Sequence, residues 1–439
     1  MLKYVKVIPI HKKGNTLDPA NYRPISIVPI VSKVFEIELN RQIVKYFERF
    51  SLFNKNQYGF RTGCNTIDPV IKLIKVCSQG IENDKLVISR FFDLTKAFDT
   101  VSHGTLVRKL EYYGFDKVAV SLISSYLCDR FQSVYLDESI SQLMKVSYGV
   151  PQGSVLGPIL FLIYVNDLPT CIEDVCVDTC LFADDLAISI TNDDPSDLNN
   201  KLHDITARIT EWCNANKLKL NNEKTLDLHY NLKCHTNKVK FLGIYIESGL
   251  GWTSHVDHVA NKLSRGLFIL RLLYGSLGHN ALLTVYYAFI HSHLNYGILL
   301  WGNHSSTAKL LVLQKRAVRI IDGAPLRTHC KPLFVKYGIL TLPSMYIINC
   351  LLYIKNNDSL LLNGDFHTYQ TRNRCNAYLN RNKFSNTSKS FDTVSKKLYN
   401  ALPQTIRNLD TQKFKSVIRS TLTANPIYKM DEFFDIRWN

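Results

Sequence analysis

A chain that mixes β-strands with amphipathic helices is predicted by three features of its sequence. First, in Cys180-Leu181-Phe182-Ala183-Asp184-Asp185-Leu186-Ala187-Ile188-Ser189-Ile190, apolar runs flank two adjacent carboxylates. Period-two apolar residues around an Asp-containing break read as strand, tight turn and strand. Such a hairpin carries Asp184 and Asp185 at its tip and buries Leu181 and Ile188 below. Second, the β-rich run Lys85-Leu86-Val87-Ile88-Ser89-Arg90-Phe91-Phe92-Asp93 ends on a carboxylate and continues through Leu94-Thr95-Lys96-Ala97-Phe98-Asp99. Third, Leu198, Leu202, Ile205 and Ile209, and again Val259, Leu263, Leu267 and Leu270, repeat with helical spacing.

The Asp pair taken alone makes an ordinary turn. A second acidic strand end changes its meaning, because two strand ends each delivering Asp are what a pair of Mg²⁺ ions needs. Hard oxygen ligands hold such ions about 3.5–4 Å apart, clamping the attacking and leaving oxygens of a phosphoryl transfer. The carboxylates also supply the negative charge that keeps the ions beside a triphosphate. The residues therefore predict a metal-dependent phosphoryl-transfer site.

The remaining elements follow in chain order. Val5 to Ile10 is strand-like, and His11-Lys12-Lys13-Gly14 is a basic turn before Asn21-Tyr22-Arg23-Pro24-Ile25-Ser26. A helical pattern then runs through Lys33, Phe35, Ile37, Leu39 and Ile43, and Gln57-Tyr58-Gly59-Phe60-Arg61 closes this block. In Gly149-Val150-Pro151-Gln152-Gly153 the glycines let backbone approach a ligand, and Pro151 stiffens the turn. Gln152 offers both a donor and an acceptor to a base or sugar. A helix is expected to start near Pro158 and to carry Ile159, Leu160 and Ile163 into the core. The apolar run Val155 to Val165 is too short to span a bilayer and reads as a buried helix. Asp193-Asp194-Pro195 opens the helix that carries Leu198. Ser305-Ser306-Thr307 caps a helix through Leu310, Leu313, Ala317 and Ile320, and Asp322-Gly323 ends it. Lys315, Arg316 and Arg319 lie off that stripe, as either a basic binding face or a solvated one.

Lys and Arg total 53 against 37 Asp and Glu, a net charge of +16, which suits a polyanionic partner through counterion release from phosphates. Eleven of the basic residues fall between Arg372 and Arg419, interleaved with Phe384, Phe391, Tyr399 and Phe414. That stretch reads as a nucleic-acid surface or as core aromatics with solvated charges. The 11 Cys form no Cys-x-x-Cys, which fits a reduced thiol protein. His255, His258, His291 and His293 lack the partners of a zinc site and read as helix residues. No secretory signal opens the sequence, so an intracellular protein, nuclear or cytoplasmic and without a membrane span, is expected.

Phe182-Ala183-Asp184-Asp185 together with Phe92-Asp93-Leu94-Thr95-Lys96-Ala97-Phe98-Asp99 resembles the catalytic motif pair of reverse transcriptases. Gly149-Val150-Pro151-Gln152-Gly153-Ser154-Val155-Leu156-Gly157-Pro158, between them, resembles that family's template- and nucleotide-positioning motif. The likeness is strongest to jockey-like non-long-terminal-repeat (LINE-type) retrotransposons. It is dense from residue 5 to 247 and looser to the end.

The resemblance implies an α+β right-hand polymerase. Fingers would occupy residues 1–84, and a palm with an antiparallel sheet and inserted fingers elements residues 85–247, the reverse transcriptase domain being roughly 1–247. A helical thumb would follow over 248–330 and a basic helical C-terminal region over 331–439. It implies an RNA-directed DNA polymerase that extends a primer 3′ end in retrotransposition, with RNA template, DNA primer or target, and dNTPs as partners. Asp93, Asp184 and Asp185 would hold two Mg²⁺ ions, or Mn²⁺ in their place. Lys224, in Lys217-Leu218-Lys219-Leu220-Asn221-Asn222-Glu223-Lys224-Thr225, would protonate the departing pyrophosphate, an exposed structural lysine being the competing reading. Arg23 and Arg61, with Lys12 or Lys13, would contact phosphate, which suits a planar guanidinium fork. Phe98 would lie under the nucleotide sugar and exclude a 2′-hydroxyl, while Pro151, Gln152 and Gly153 position the nucleotide. Phe241, Leu242 and Gly243 would grip the primer.

Elements of this kind usually carry an endonuclease ahead of the polymerase, and this sequence opens on the fingers. A separate endonuclease is therefore an expected partner. The same observation leaves open a remnant that binds nucleic acid without polymerising. A group II intron maturase is the weaker alternative, because no nuclease or splicing module is recognisable after the thumb.

Overall fold

The computed structural model describes residues 3–231, 237–357, 360–366, 369, 371–381, 383–384 and 389–438. The chain divides into two compact units, Met1–His229 and Tyr230–Asn439.

The centre of the first unit is a four-stranded antiparallel sheet in the order β7-β8-β3-β9. Its strands are β3 (Leu86–Phe92), β7 (Val177–Phe182), β8 (Asp185–Asn192) and β9 (Leu226–His229). β3 lies inside the sheet, so its sequence is an almost continuous apolar run, with Val87, Ile88, Phe91 and Phe92 buried. β7 and β8 form the hairpin expected from the acidic pair, with Phe182 opposite Asp185. β3 pairs with β8 so that Phe92 faces Leu186, and Asp93 therefore emerges beside Asp185. The helix α2 (Asp68–Glu82) packs on β3, β7 and β8, and α6 (Pro195–Ala215) packs on β8. Asp194 caps α6 by accepting from the Ser196 and Asp197 amides, and Leu198, Leu202, Ile205 and Ile209 all face the core.

A second sheet in the order β2-β1-β4-β5, with β6 also on β4, stands in the same unit. Its strands are β1 (Tyr4–His11), β2 (Tyr22–Ile27), β4 (Arg130–Leu136), β5 (Ser139–Ile140) and β6 (Met144–Val146). Helices α1 (Ile30–Arg49) and α3 (His103–Tyr112) pack on α5 (Leu156–Val165), which is buried along its length, and α4 (Lys117–Leu127) packs on α3. Burying each large apolar side chain of α5 contributes roughly 1.5–3 kcal/mol, so this helix anchors the unit.

The face of α1 differs from the sequence pattern. Phe35 and Ile37 are 51% and 55% exposed, whereas Glu36 is 1% exposed. The Glu36 carboxylate accepts from the backbone amides of Val155 at 2.6 Å and Leu156 at 3.3 Å. Those amides open α5, whose own residues supply no side-chain cap, and a carboxylate at a helix N-terminus satisfies both the free donors and the dipole. Turning α1 so that Glu36 reaches α5 leaves Phe35 and Ile37 outward.

The second unit begins with the hairpin β10 (Lys238–Phe241) and β11 (Ile244–Glu247), followed by α7 (Thr253–Leu273). Next come α8 (His279–Tyr286), a π-helical turn over Tyr287–His291, α9 (Ser292–Asn295) and α10 (Ile298–Trp301). α11 (Ala308–Asp322) packs along α7 and ends at Gly323, whose φ is 76°. α12 (Lys331–Lys336), α13 (Leu342–Lys355), α14 (Phe391–Ala401), α15 (Gln404–Arg407) and α16 (Thr411–Ala424) complete it. Phe391 and Phe414 are core residues. Lys396 pairs with Asp392, and Arg407 donates to the Cys375 and Asn376 oxygens, so part of the basic stretch is engaged within the fold. Lys315 lies over the Tyr428 ring and Arg319 donates to the Thr328 carbonyl, leaving Arg316 as the exposed cation of that trio. His255 accepts from the Tyr245 amide and ties α7 to the hairpin. The described cysteines are free thiols. Among the described residues, no helix is long and apolar enough to cross a membrane.

Candidate active site

The β7–β8 hairpin turns through Ala183 and Asp184. Ala183 takes a left-handed φ of 56°, a conformation that a non-glycine residue adopts at some cost. Its amide donates to Gln57 Oε1 at 3.1 Å. Asp184 and Asp185 are half-buried at this tip. Asp93 joins them from the end of β3, and its own segment is fixed from the far side. The Asn221 amide donates to the Asp93 carbonyl, and the Thr95 amide donates to the Lys219 carbonyl, each at 2.8 Å. That pairing delivers Lys224, whose Nζ lies 3.3 Å from Asp93 Oδ2.

Electrostatics show that the three carboxylates share one neighbourhood. Burial pushes the Asp185 carboxyl up to about 6, reinforced by Asp184 and then Asp93. Burial also raises Asp184, as does Asp93, while a backbone hydrogen bond, Arg23 and Lys12 oppose the rise. Arg23 and Lys12 are thus within electrostatic reach of the tip. Among the described residues, no three His, Cys, Asp or Glu side chains close into a metal cage. Mg²⁺ beside nucleotides is held through one or two carboxylates, with the substrate's phosphates and water completing the shell. Hard, anionic oxygens whose mutual repulsion a cation would relieve fit such an ion.

The Gly149–Gly153 loop is zipped onto the segment that follows Asp93. The Val150 amide donates to the Phe98 carbonyl, and the Gly149 amide donates to the Val101 carbonyl, each at 2.8 Å. A Cβ on Gly149 would stand 2.7 Å from the Asp99 carbonyl oxygen, and its φ is +83°. Gln152 donates through Nε2 to Asp99 Oδ1 at 2.7 Å, which turns its amide oxygen away from Asp99. The Ser26 amide donates to the Gln152 carbonyl at 2.6 Å, joining the loop to β2, three residues from Arg23. Gly153 comes so close to Ser26 that a Cβ would sit 2.7 Å from its carbonyl oxygen. Pro151 accepts from the Ser154 hydroxyl. Phe98 is half-buried, its ring stacked on Phe161 with centroids 4.2 Å apart.

Two of the expected contact residues have partners within the fold. Arg61, expected to bind phosphate, is engaged inside the fold. Its Nη1 donates to the Asn54 and Gln57 carbonyls at 3.2 Å each, Nη2 lies 3.6 Å from Glu48, and the guanidinium covers Phe53. Gln152, read as offering both a donor and an acceptor to a base or sugar, donates to Asp99 here. Phe241, Leu242 and Gly243 belong to the second unit, where Phe241 is buried and Gly243 has a φ of 81°. Tyr296 there donates its hydroxyl to the Leu242 carbonyl. Sequence reading missed Gln57, Asp99 and Glu36. Gln57 and Asp99 both stood in segments already singled out, and nothing local distinguishes a buried Glu36 from a surface one.

Residues 10–246 match the family model for reverse transcriptase (RNA-dependent DNA polymerase). The chain belongs to the reverse transcriptase family. This reverse transcriptase is 29% identical over 342 residues to a probable RNA-directed DNA polymerase from transposon X-element of Drosophila melanogaster, covering 72% of this chain and 37% of that protein. It is 26% identical over 351 residues to the RNA-directed DNA polymerase from mobile element jockey of the same organism, covering 74% of this chain and 38% of that one. The chain therefore spans a little over a third of the length of these relatives. A structure of apo telomerase from Candida tropicalis is similar over 79% of this chain and 62% of that one, at 13% identity and a TM-score of 0.48. The reverse transcriptase has the α+β architecture of a right-hand polymerase. The family uses divalent metal ions, which accords with the acidic tip.

Proposed function

We propose that this reverse transcriptase is an RNA-directed DNA polymerase that extends a primer 3′ end on an RNA template, as part of retrotransposition. The observation that carries this reading is the convergence of Asp93 with Asp184 and Asp185 on neighbouring strands, beside the loop that holds Gln152. In the reaction the primer 3′-hydroxyl oxygen forms a bond to the α-phosphorus of a dNTP. The bond to the β-phosphate oxygen breaks, and pyrophosphate leaves. No protein nucleophile is needed, so catalysis rests on positioning and charge neutralisation. Asp93 and Asp184, with Asp185 assisting, would hold two Mg²⁺ ions, or Mn²⁺ in their place, which supply Lewis acidity when bound. Arg23 and Lys12 attract the triphosphate. Lys224, 63% exposed and resting on Asp93, is placed to give a proton to pyrophosphate. Phe98, stacked on Phe161, would lie under the nucleotide sugar and exclude a 2′-hydroxyl. We assign residues 1–84 to fingers, 85–247 to the palm with its inserted elements, 248–330 to the thumb, and 331–439 to a basic C-terminal region. Phe241, Leu242 and Gly243 are assigned to the primer grip.

Primer extension with an RNA template, a DNA primer, dNTPs and Mg²⁺ tests the proposal, with template-dependent synthesis expected. Salt-sensitive RNA binding without incorporation on any primer would replace it with a binding-only function.

Asp185 links the metal to pH. A carboxyl raised to about 6 in the folded chain titrates near 3.9 when unfolded. Between those values the folded protein holds a proton that the unfolded chain has released, so stability falls as pH rises through the window. Above it the repulsion is fully present and a bound cation relieves it. Below it a cation must first displace the proton. Mg²⁺ is thus expected to raise Tm more at about pH 7.5 than at about pH 5.5. Equal shifts at both would remove Asp185 from the metal site.

A further inference from the structure

We infer that Gln57–Arg61 is a positioning cradle that holds the Ala183–Asp184–Asp185 turn in its productive shape, an inference that rests on the polymerase reading above. The segment runs beside β7. The Leu181 amide donates to the Asn56 carbonyl at 2.9 Å, and the Tyr58 amide donates to the Leu181 carbonyl at 2.8 Å. Between these bonds the Gln57 side chain, 0% exposed, reaches past the end of β7. Its Oε1 accepts from the Gly59 amide at 2.8 Å and the Ala183 amide at 3.1 Å. One carbonyl oxygen thus clamps the cradle and the catalytic turn together.

Gly59 makes the close approach possible. A Cβ there would meet the Ala183 nitrogen at 2.5 Å, a contact with backbone that cannot swing away. Arg61 locks the other end by donating to the Asn54 and Gln57 carbonyls, which holds the segment curled toward the hairpin. The clamp matters because of what it holds. Ala183 occupies the first central position of a two-residue hairpin turn with φ of 56°, where glycine is the unstrained choice. A left-handed Ala costs about 1–2 kcal/mol and persists only where the surroundings over-determine it. The Gln57 oxygen is the group that does so, since it takes the amide the turn leaves free. Asp184 is the next residue along the chain. Relaxing Ala183 rotates the carboxylates out of register with Asp93 without disturbing any surface that binds nucleic acid.

Gln57→Leu removes the acceptor at nearly constant volume, and Gln57→Glu keeps an oxygen in place. Gln57→Asn withdraws the acceptor by one methylene and serves if the Leu variant does not fold. In the Leu or Asn variant, primer–template affinity is expected to stay at the wild-type value. The half-saturating Mg²⁺ concentration for incorporation is expected to rise about tenfold, as for other groups that orient metal ligands. The turnover rate should fall about 10²-fold. Gln57→Glu should recover most of both. Adding Ala183→Gly to Gln57→Leu should also restore activity in part, because glycine holds the left-handed turn without a clamp. Wild-type Mg²⁺ dependence and turnover in a folded Leu or Asn variant overturn the cradle. The Mg²⁺-induced rise in Tm supplies a readout that needs no incorporation. If the wild type itself synthesises nothing, the polymerase reading fails, and the cradle still stands or falls on whether Gln57→Leu or Gln57→Asn loses that rise.

Discussion

Replacing Asp184 by Asn is expected to abolish nucleotide incorporation while making the metal-free protein more stable. The carboxylate is raised by burial and by Asp93, so its ionised form is a cost to the fold that function requires. Asn keeps the shape and removes the charge. Incorporation should drop about 10³-fold or more, because charge neutralisation at the reacting phosphate has no substitute in the site. The same change should raise Tm at about pH 7.5 without Mg²⁺ by about 2–4 °C, and should shrink the Mg²⁺-induced shift. Primer extension and thermal unfolding of one preparation measure both effects. Unchanged synthesis would remove Asp184 from the metal site. Lost synthesis with lowered Tm would mean that the carboxylate serves the fold instead.

Gly149→Ala is the second large effect, and it acts through backbone. At a φ of +83° alanine is strained, and its Cβ would lie 2.7–2.9 Å from the backbone of Asp99. Both amide bonds that zip the loop to Phe98 and Val101 must open to make room. The expected destabilisation is about 2–4 kcal/mol, above the cost of the backbone angle alone. Incorporation should fall about 10²-fold even where the protein stays folded, since Phe98 and Gln152 move together. Gly63→Ala is the matching control, with a φ of +81° and nothing within 4 Å of the added Cβ. It should cost only the conformational penalty, about 1 kcal/mol. Equal denaturation midpoints for the two variants would show that the contact with Asp99 does not matter.

Much of the site was legible because its signals are local. Alternation around Asp184 and Asp185 specifies a hairpin by itself, and the β-rich run before Asp93 specifies a strand end. Helical spacing from Leu198 to Ile209 predicted the buried face of α6, and Asp194-Pro195 its start. The same spacing rule failed on α1, where Phe35 and Ile37 point outward. Apolar periodicity registers the cost of exposing carbon. It does not register the gain from satisfying the amides of a helix 119 residues away, which is what turned Glu36 inward.

By itself, then, the sequence determined which short segments are strands, turns and helices, and that two of the strands end on acid. It could do so because backbone propensity and side-chain alternation act over a few residues. The tertiary structure alone decided which hydrogen-bond partners those segments would lean on. Gln57 meets Ala183 across 126 positions, and Gln152 meets Asp99 across 53. A buried hydrogen bond is worth making only where folding has already excluded water, and that place is set by the packed whole rather than by neighbours in the chain.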